Sequence, residues 1–388
     1  MGEAVVVKRR KTAKGKMVAL DQIDFFANNF DFLRFLAASL VIFGHSFPLY
    51  GLGLQASSVA FTLSHVPFGS LALSTFFFIS GFLVTKSWLD SPQIIKYFKK
   101  RILRIFPALV CTTLLAIFVV GPMVTTLSSR EYFSNPLTWD YLRNIFMQTW
   151  SDLPGVFQGN PLYSAVNGSL WTLPIEFWLY IFVALLGALG IFSKRKIILP
   201  VIILLVIFLN WRIFAQSEFQ SASFLCISAF QFFRLAIFFA AGSLCYVYRR
   251  HVILDYRVAL FALAALAISY GTSNFDLILL LTLPYLILSF AYLVDTPILR
   301  NFGKYGDFSY GMYVYAFPVQ QTVTHFLRAK ISLPEYFLIS YFVTLVIAGL
   351  SWHLVEKQAL KLKKKSIFSP IFRKTATAFK TAFSRSSS

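Results

Sequence analysis

The chain has 388 residues, of which 57% are hydrophobic, 18% aromatic and only 13% charged. That balance excludes an ordinary soluble domain of this length and belongs to a polytopic membrane protein. The formal net charge of +20 sits in the tails and between hydrophobic runs, not interleaved with stacking aromatics, so no nucleic acid partner is expected.

In chain order, residues 1–28 form a basic tail with Lys8, Arg9, Arg10, Lys11, Lys14 and Lys16, and show no small-residue cleavage site. Ten hydrophobic segments of spanning length follow, at about 31–50, 70–89, 103–124, 171–190, 196–215, 224–248, 252–270, 276–294, 308–327 and 335–354. The expected fold is an all-α polytopic membrane protein, with about ten transmembrane helices inside residues 29–357. Basic residues mark every other loop: Lys96, Lys99, Lys100 and Arg101, then Lys194, Arg195 and Lys196, then Arg249 and Arg250, then Arg300 and Lys304, then Lys361 with Lys363, Lys364 and Lys365. The bias toward basic cytoplasmic loops puts these on the inner side, with both termini cytoplasmic. The long connection 125–170 is then extracytoplasmic, and residues 141–147 within it are expected to lie as a helix on the outer surface. Residues 358–388 form a second basic cytoplasmic tail, either an amphipathic helix on the inner leaflet or disordered. Cys111, Cys226 and Cys245 lie in apolar runs without ligand spacing, so neither a disulfide framework nor a metal site is expected.

The first span carries Asp31, Arg34 and His45, and ionisable groups inside a spanning helix are costly and usually functional. Arg34 and His45 are eleven residues apart, about 16 Å along the axis and nearly a whole number of turns, so both lie on one face. Asp31 shares that stripe. The plainer roles are an interfacial anchor for Asp31 and Arg34 and a packing role for His45. Counting from the outer ends of the first and fourth spans, His45 and Glu176 each fall about 7 Å below the outer boundary. Sharing a depth, they suit a base whose ring is oriented by a carboxylate. Glu176 alternatively pairs with Arg234, near the middle of the sixth span, or accepts from backbone. Arg101 and Arg104 open the third span at i, i+3 on one face, which suits a phosphate at a helix N-terminus and equally suits plain topology.

Taken together, Arg34 to Ala38 with His45, Phe76 to Leu83, Arg101 to Pro107, Asn167 to Phe177, Phe308 to Tyr313, and Trp352 with Val355 to Lys357 resemble the acyltransferase family 3 proteins of bacterial inner membranes. The resemblance spans residues 30–357. It implies a multi-pass inner-membrane O-acyltransferase that moves an acetyl or other short acyl group from acyl-coenzyme A, usually acetyl-coenzyme A, to a hydroxyl of a surface polysaccharide or its lipid-linked precursor. It implies His45 and Glu176 as the catalytic pair, and Arg34, Arg101 and Arg104 as the donor-binding residues. Asp31, Ser169, Trp171, Arg234, Tyr310 and Tyr313 are implied as supporting polar or substrate-facing groups. No metal is implied. Membrane lipids, the glycan acceptor and polysaccharide assembly machinery are the implied partners.

Two departures stand out. Ala316 occupies a position where many members have histidine, which concentrates the chemistry on His45, and Gln358 occupies one where proline often follows the Glu-Lys pair. With no appended extracytoplasmic domain expected, a second transfer step would need another protein. Buried polar groups among ten helices also suit a transporter or flippase, or a non-catalytic member of an assembly complex. Uptake without thioester turnover, or indifference to change at His45, would mark those alternatives.

Overall fold

The computed structural model describes residues 17–52, 68–162, 165–193, 223–224, 227–272 and 274–364. Its long helices are α1 Phe30–Tyr50, α2 Phe68–Asp90, α3 Ile94–Leu115, α4 Thr172–Ala188, α5 Ala229–Val247, α6 Tyr256–Ile268, α7 Phe275–Leu293, α8 Ser309–Leu327 and α9 Leu333–Ser351. Among the described residues six helices are long and apolar enough to cross a membrane: α1, α2, α3 with its extension to Val124, α5, α7, and α9 with its extension to Lys361. The chain is therefore a multi-pass membrane protein. The expected span at 196–215, most of the basic N-terminal tail and the C-terminal tail beyond Lys364 lie outside the described residues.

Three expected spans take a different form. α4 and α6 are apolar but shorter than a spanning helix. α8 is long enough but carries Gln320, Gln321, Thr322, Thr324 and His325. Fourteen of its nineteen residues are buried, because a polar helix in a membrane has to be wrapped by protein on nearly every side. α1, α3 and α9 do much of that wrapping.

α2 and α5 pack more closely than ordinary side chains allow. A Cβ on Gly81 would overlap the Phe239 carbonyl oxygen, and one on Gly242 would overlap that of Phe78. Small residues at the crossing let the two backbones meet, and Ser243 donates to the Gly81 carbonyl at 3.3 Å. Aromatic rings fill the space around this contact, with Phe30, Phe82, Tyr246 and Tyr292 meeting edge to face or tilted.

Two helices contain a wider π turn. In α3, residues Ala116–Val120 form one, and Tyr132 donates to the Ile117 carbonyl within it at 3.0 Å. The other, Trp352–Glu356, follows α9. Such turns change side-chain register and gather at functional sites. Strand pairing is minor: β1 Val18–Ala19 pairs with β4 Ile253–Leu254, and β2 Ser223–Phe224 with β3 Ile227–Ser228.

The connection after α3 is folded. Short helices Ser129–Ser134 and Pro136–Asp140 lead into a 3-10 turn at Tyr141–Phe146. The expected surface helix at 141–147 is therefore this turn, and Tyr141 and Asn144 are buried in it. Tyr141 joins Tyr132, Leu153, Val156 and Phe157 in a second small core. Asn144 holds the fold of the connection by donating to the Tyr141 and Trp150 carbonyls and accepting from the Trp150 backbone.

From the α2–α5 crossing we predict that Gly81→Ala lowers stability by about 1–3 kcal/mol through overpacking. Gly349→Ala, whose added Cβ meets nothing within 4 Å, should be neutral or stabilising. Thermal unfolding of the two variants in detergent checks the contrast.

Candidate active site

At one end of the bundle, charged residues from four elements converge. Arg34 on α1 pairs with Asp31 one turn below and lies 3.4 Å from Asp307, while Arg104 on α3 donates to Asp307 at 2.6 Å. Asp307 sits just ahead of α8 and also accepts from the Ser309 backbone and hydroxyl. Burial by itself would raise this carboxyl, but Arg104, Arg34 and the Ser309 bonds hold it well below the usual carboxylate range. Glu356, delivered by the π turn after α9, is 1% exposed. Its Oε1 accepts from Ser351 at 3.0 Å, and its Oε2 lies 3.8 Å from Arg104 without a hydrogen-bond partner.

Arg101 differs from Arg34 and Arg104, since no carboxylate pairs with it among the described residues. Its guanidinium lies over the rings of Tyr97 and Tyr180 at 5.4 and 5.5 Å, and its Nε is buried without a partner. Lys363, just past the helix Lys357–Lys361, is pushed down to about 8 by desolvation and by the nearby charges of Arg104, Arg101 and Lys100. A surplus of positive charge therefore gathers on the Arg101 side of the cluster.

Glu176 belongs to this end. It accepts from Ser80 on α2 at 2.9 Å and from Tyr180 one turn further along α4. The expected pairing with His45 is not made, and neither is the alternative with Arg234. Phe68, the first residue of α2, packs against Gly44 beside His45, whereas Ser80 lies twelve residues further on, about 18 Å down the helix. The two residues thus stand on different levels.

The physical reason lies in the segment before α4, which dips into the bundle before the helix begins. Asn167 donates to the Val314 carbonyl at 2.9 Å, and Thr172 shares a hydrogen bond with the Tyr313 hydroxyl at 2.6 Å. Val314 and Tyr313 lie near the Asp307 end of α8. Irregular backbone is tolerated at this depth because protein surrounds it and its polar groups find partners on α8. α4 is short because it starts inside.

His45 stands near the other end of α1. Its ring meets Phe317 of α8 edge to face at 5.3 Å, and its Nδ1 is buried with no hydrogen-bond partner. Gly168 of the dipping segment lies against the other part of the same contact, since a Cβ there would approach the Phe317 ring to 2.7 Å. Ser169, the next residue, is 1% exposed, and its hydroxyl also lacks a partner.

Of the remaining expected residues, Tyr313 donates to the Ser169 carbonyl at 2.9 Å. Tyr310 donates to the Ile105 carbonyl at 2.7 Å and lies under Arg104. Trp171 caps α4 and packs against the main core. Arg234 joins neither the arginine cluster nor His45. The structure places it in the second turn of α5, not mid-span, because the helix begins only at Ala229. There it joins Ser70 and Asp276 at the starts of α2 and α7. Sequence reasoning gave no site role to Asp307, Glu356, Ser80, Tyr180 or Lys363. The available signal was scarcity, because the chain has only 16 acidic residues and two of them flank α8 and α9.

From the shared carboxylate we predict that Asp307→Asn lowers stability by about 2–3 kcal/mol by leaving two guanidinium groups uncompensated. The figure is below that of a fully buried pair because the three side chains retain 15% to 24% exposure. Adding Arg104→Gln should recover part of the loss, and thermal unfolding of both variants measures it. The wild-type contribution is present above about pH 4, and is lost as pH falls toward the lowered carboxyl value.

Comparison with known proteins shows similarity over most of the chain. Residues 28–353 match the family model described as an acyltransferase domain. The chain is 32% identical over 339 residues to an O-acetyl transferase of Shigella phage Sf6, covering 86% of this chain and 96% of that protein. It is 28% identical over 359 residues to nodulation protein 10 of Rhizobium leguminosarum bv. viciae, covering 87% of this chain and 94% of that one. No solved structure matches it significantly.

Proposed function

The chain belongs to the acyltransferase family matched by its residues 28–353, and from that premise we propose that it moves an acetyl or other short acyl group from acyl-coenzyme A to a hydroxyl of a surface glycan or its lipid-linked precursor. One observation carries this. Two polar levels lie on one face of α1, eleven residues apart, and each holds buried polar atoms without partners: Nε of Arg34 and Arg101 with Oε2 of Glu356 at one, Nδ1 of His45 and Oγ of Ser169 at the other. Buried polar atoms are normally satisfied, so these five, out of thirteen unpartnered ones among the described residues, suit the polar parts of a long ligand.

The donor phosphates dock on Arg101, Lys100 and Lys363, where positive charge is in surplus. Arg34 and Arg104, already held by Asp307, shape the mouth. The pantetheine arm passes Glu176 and Tyr310 toward His45. There the acceptor hydroxyl oxygen attacks the thioester carbonyl carbon while the neutral His45 imidazole takes its proton. The new C–O bond forms and the C–S bond breaks. The departing thiolate receives the proton back from the imidazolium, leaving free coenzyme A and the acyl ester. The Ser169 hydroxyl is available to donate to the carbonyl oxygen as it gains charge. No step calls for a metal. The name of the phage relative supports an O-acetyl product. The reaction is set in the bacterial inner membrane, with ten spans and both termini cytoplasmic, and it feeds polysaccharide assembly.

His45→Gln keeps volume and some hydrogen bonding but cannot take the proton. Transfer should fall by about 10²- to 10⁴-fold with the donor KM unchanged, and a near wild-type kcat would remove His45 as the base. Because His45 and Glu176 stand on separate levels, Glu176→Gln should chiefly raise the donor KM, and the two losses should multiply in the double variant.

Lys363 supplies the pH dependence. Its lowered value means that its charge is present below about pH 8 and lost above it, so coenzyme A affinity should weaken as pH rises from about 7 to 9. Lys363→Arg should flatten that change in a binding titration. Tags at both termini should be reached only from the cytoplasm, and one at Ser128 only from outside.

A further inference from the structure

The end of the bundle opposite the arginine cluster holds a cavity of about 590 Å³, lined among others by Tyr50, Gly51, Asn160, His325, Phe326 and Arg328. That volume lies in the range of small-ligand sites. None of the expected site residues lines it. It stands at the His45 end of the bundle: Tyr50 is five residues beyond His45 on α1, about 7 Å along the axis. On α8, Phe317, which packs on His45, is followed by Gln321, Thr324 and Arg328, all within about 60° of one face. Thr324 donates to the Leu49 carbonyl at 3.1 Å and so ties the two walls together.

The cavity's chemistry is that of a polyhydroxylated ligand. α1 and α8 both end here, and helix C-termini present carbonyl oxygens that accept from hydroxyl donors. Asn160 uses its amide nitrogen on Gln321, through the backbone and side-chain oxygens at 2.9 and 2.7 Å. Its side-chain oxygen makes no hydrogen bond among the described residues. Phe326 is 47% exposed and offers a ring face to the apolar side of a sugar. Arg328 supplies the donors. No carboxylate pairs with it among the described residues, and its guanidinium lies against Gly51, where a Cβ would meet it at 2.5 Å. Gly51 has φ +88°, so glycine there serves both the left-handed turn and the seat of the guanidinium.

We propose that this cavity receives the glycan acceptor, with Arg328 and the two helix ends binding its hydroxyls while the hydroxyl to be acylated reaches down toward His45. The assignment rests on the acyl-transfer function above and adds the acceptor's place and route. Donor and acceptor then enter from opposite ends of the bundle and meet at the His45 level.

The test uses the full-length protein in nanodiscs with labelled acetyl-coenzyme A. The acceptor probe is surface polysaccharide from the producing cell, stripped of esters with mild base. Arg328→Ala removes the donors. Gly159→Trp fills the cavity from a rim position where an added Cβ meets nothing within 4 Å. Each should raise the KM for the polysaccharide about tenfold or more, the size expected for losing charged hydrogen bonds, while the KM for acetyl-coenzyme A stays unchanged. Arg328→Lys should recover part of the loss. An unchanged polysaccharide KM in both variants overturns the proposal, leaving a recess that faces lipid headgroups. A donor KM that rises as far as the acceptor KM overturns it too. Wild-type protein that moves no label to the polysaccharide and releases no thiol overturns acyl transfer itself, which separates that failure from this one.

Discussion

Asp307 is the point on which the arginine end of the bundle depends. One carboxylate just ahead of α8 takes Arg104 of α3 directly, holds Arg34 of α1 at 3.4 Å, and accepts from Ser309 of its own helix. A guanidinium inside a membrane bundle is tolerable only with a partner in reach, so this contact sets where three helices can stand. It also divides the arginines by role. Arg34 and Arg104 are compensated, whereas Arg101 rests on tyrosine rings among lysines, and the positive surplus collects there.

The second constraint is the polarity of α8. With two glutamines, several hydroxyls and a histidine on one helix, its exposure to lipid would leave polar groups unsatisfied, and the bundle is built to prevent that. Gln320 donates to the Ile42 carbonyl and Ser46 of α1, and Gln321 to carbonyls at Leu162 and Ala165. The segment before α4 completes the wrapping by dipping alongside. Its hydrogen bonds to Val314 and Tyr313 shorten α4 and carry Glu176 down to the arginine level. The same dip brings Gly168 and Ser169 to Phe317 and hence to His45. α8 consequently connects the arginine end, through the His45 level, to the cavity at the far end.

The acyl transfer proposed above needs a donor held at one end, an acceptor at the other and a base between them. The arrangement of His45 between the Arg101 surplus and the Arg328 cavity suits that need. Without a carboxylate partner, the His45 ring is held by its edge-to-face contact with Phe317, and its Nδ1 is left without a hydrogen bond.

What the sequence by itself determined was whatever depends on local spacing and composition. The all-α membrane class follows from long apolar runs, and the common face of Asp31, Arg34 and His45 from helical periodicity. The i, i+3 pair Arg101 and Arg104 likewise follows from spacing alone. The family was legible from the ordered set of short runs between Arg34 and Glu356. Tertiary structure alone decided which residues meet. Depth counted from an assumed helix start put Glu176 beside His45, because nothing local reveals that the chain before α4 enters the bundle. Hydropathy likewise ranked α8 as one span among ten, since the burial of its glutamines depends on partners far away in the chain. Asp307, Glu356 and Arg328 meet their distant partners only in the fold: Arg104 for the two carboxylates and Gly51 for the guanidinium. An uncompensated charge has no signature until the fold has assigned the other charges their partners.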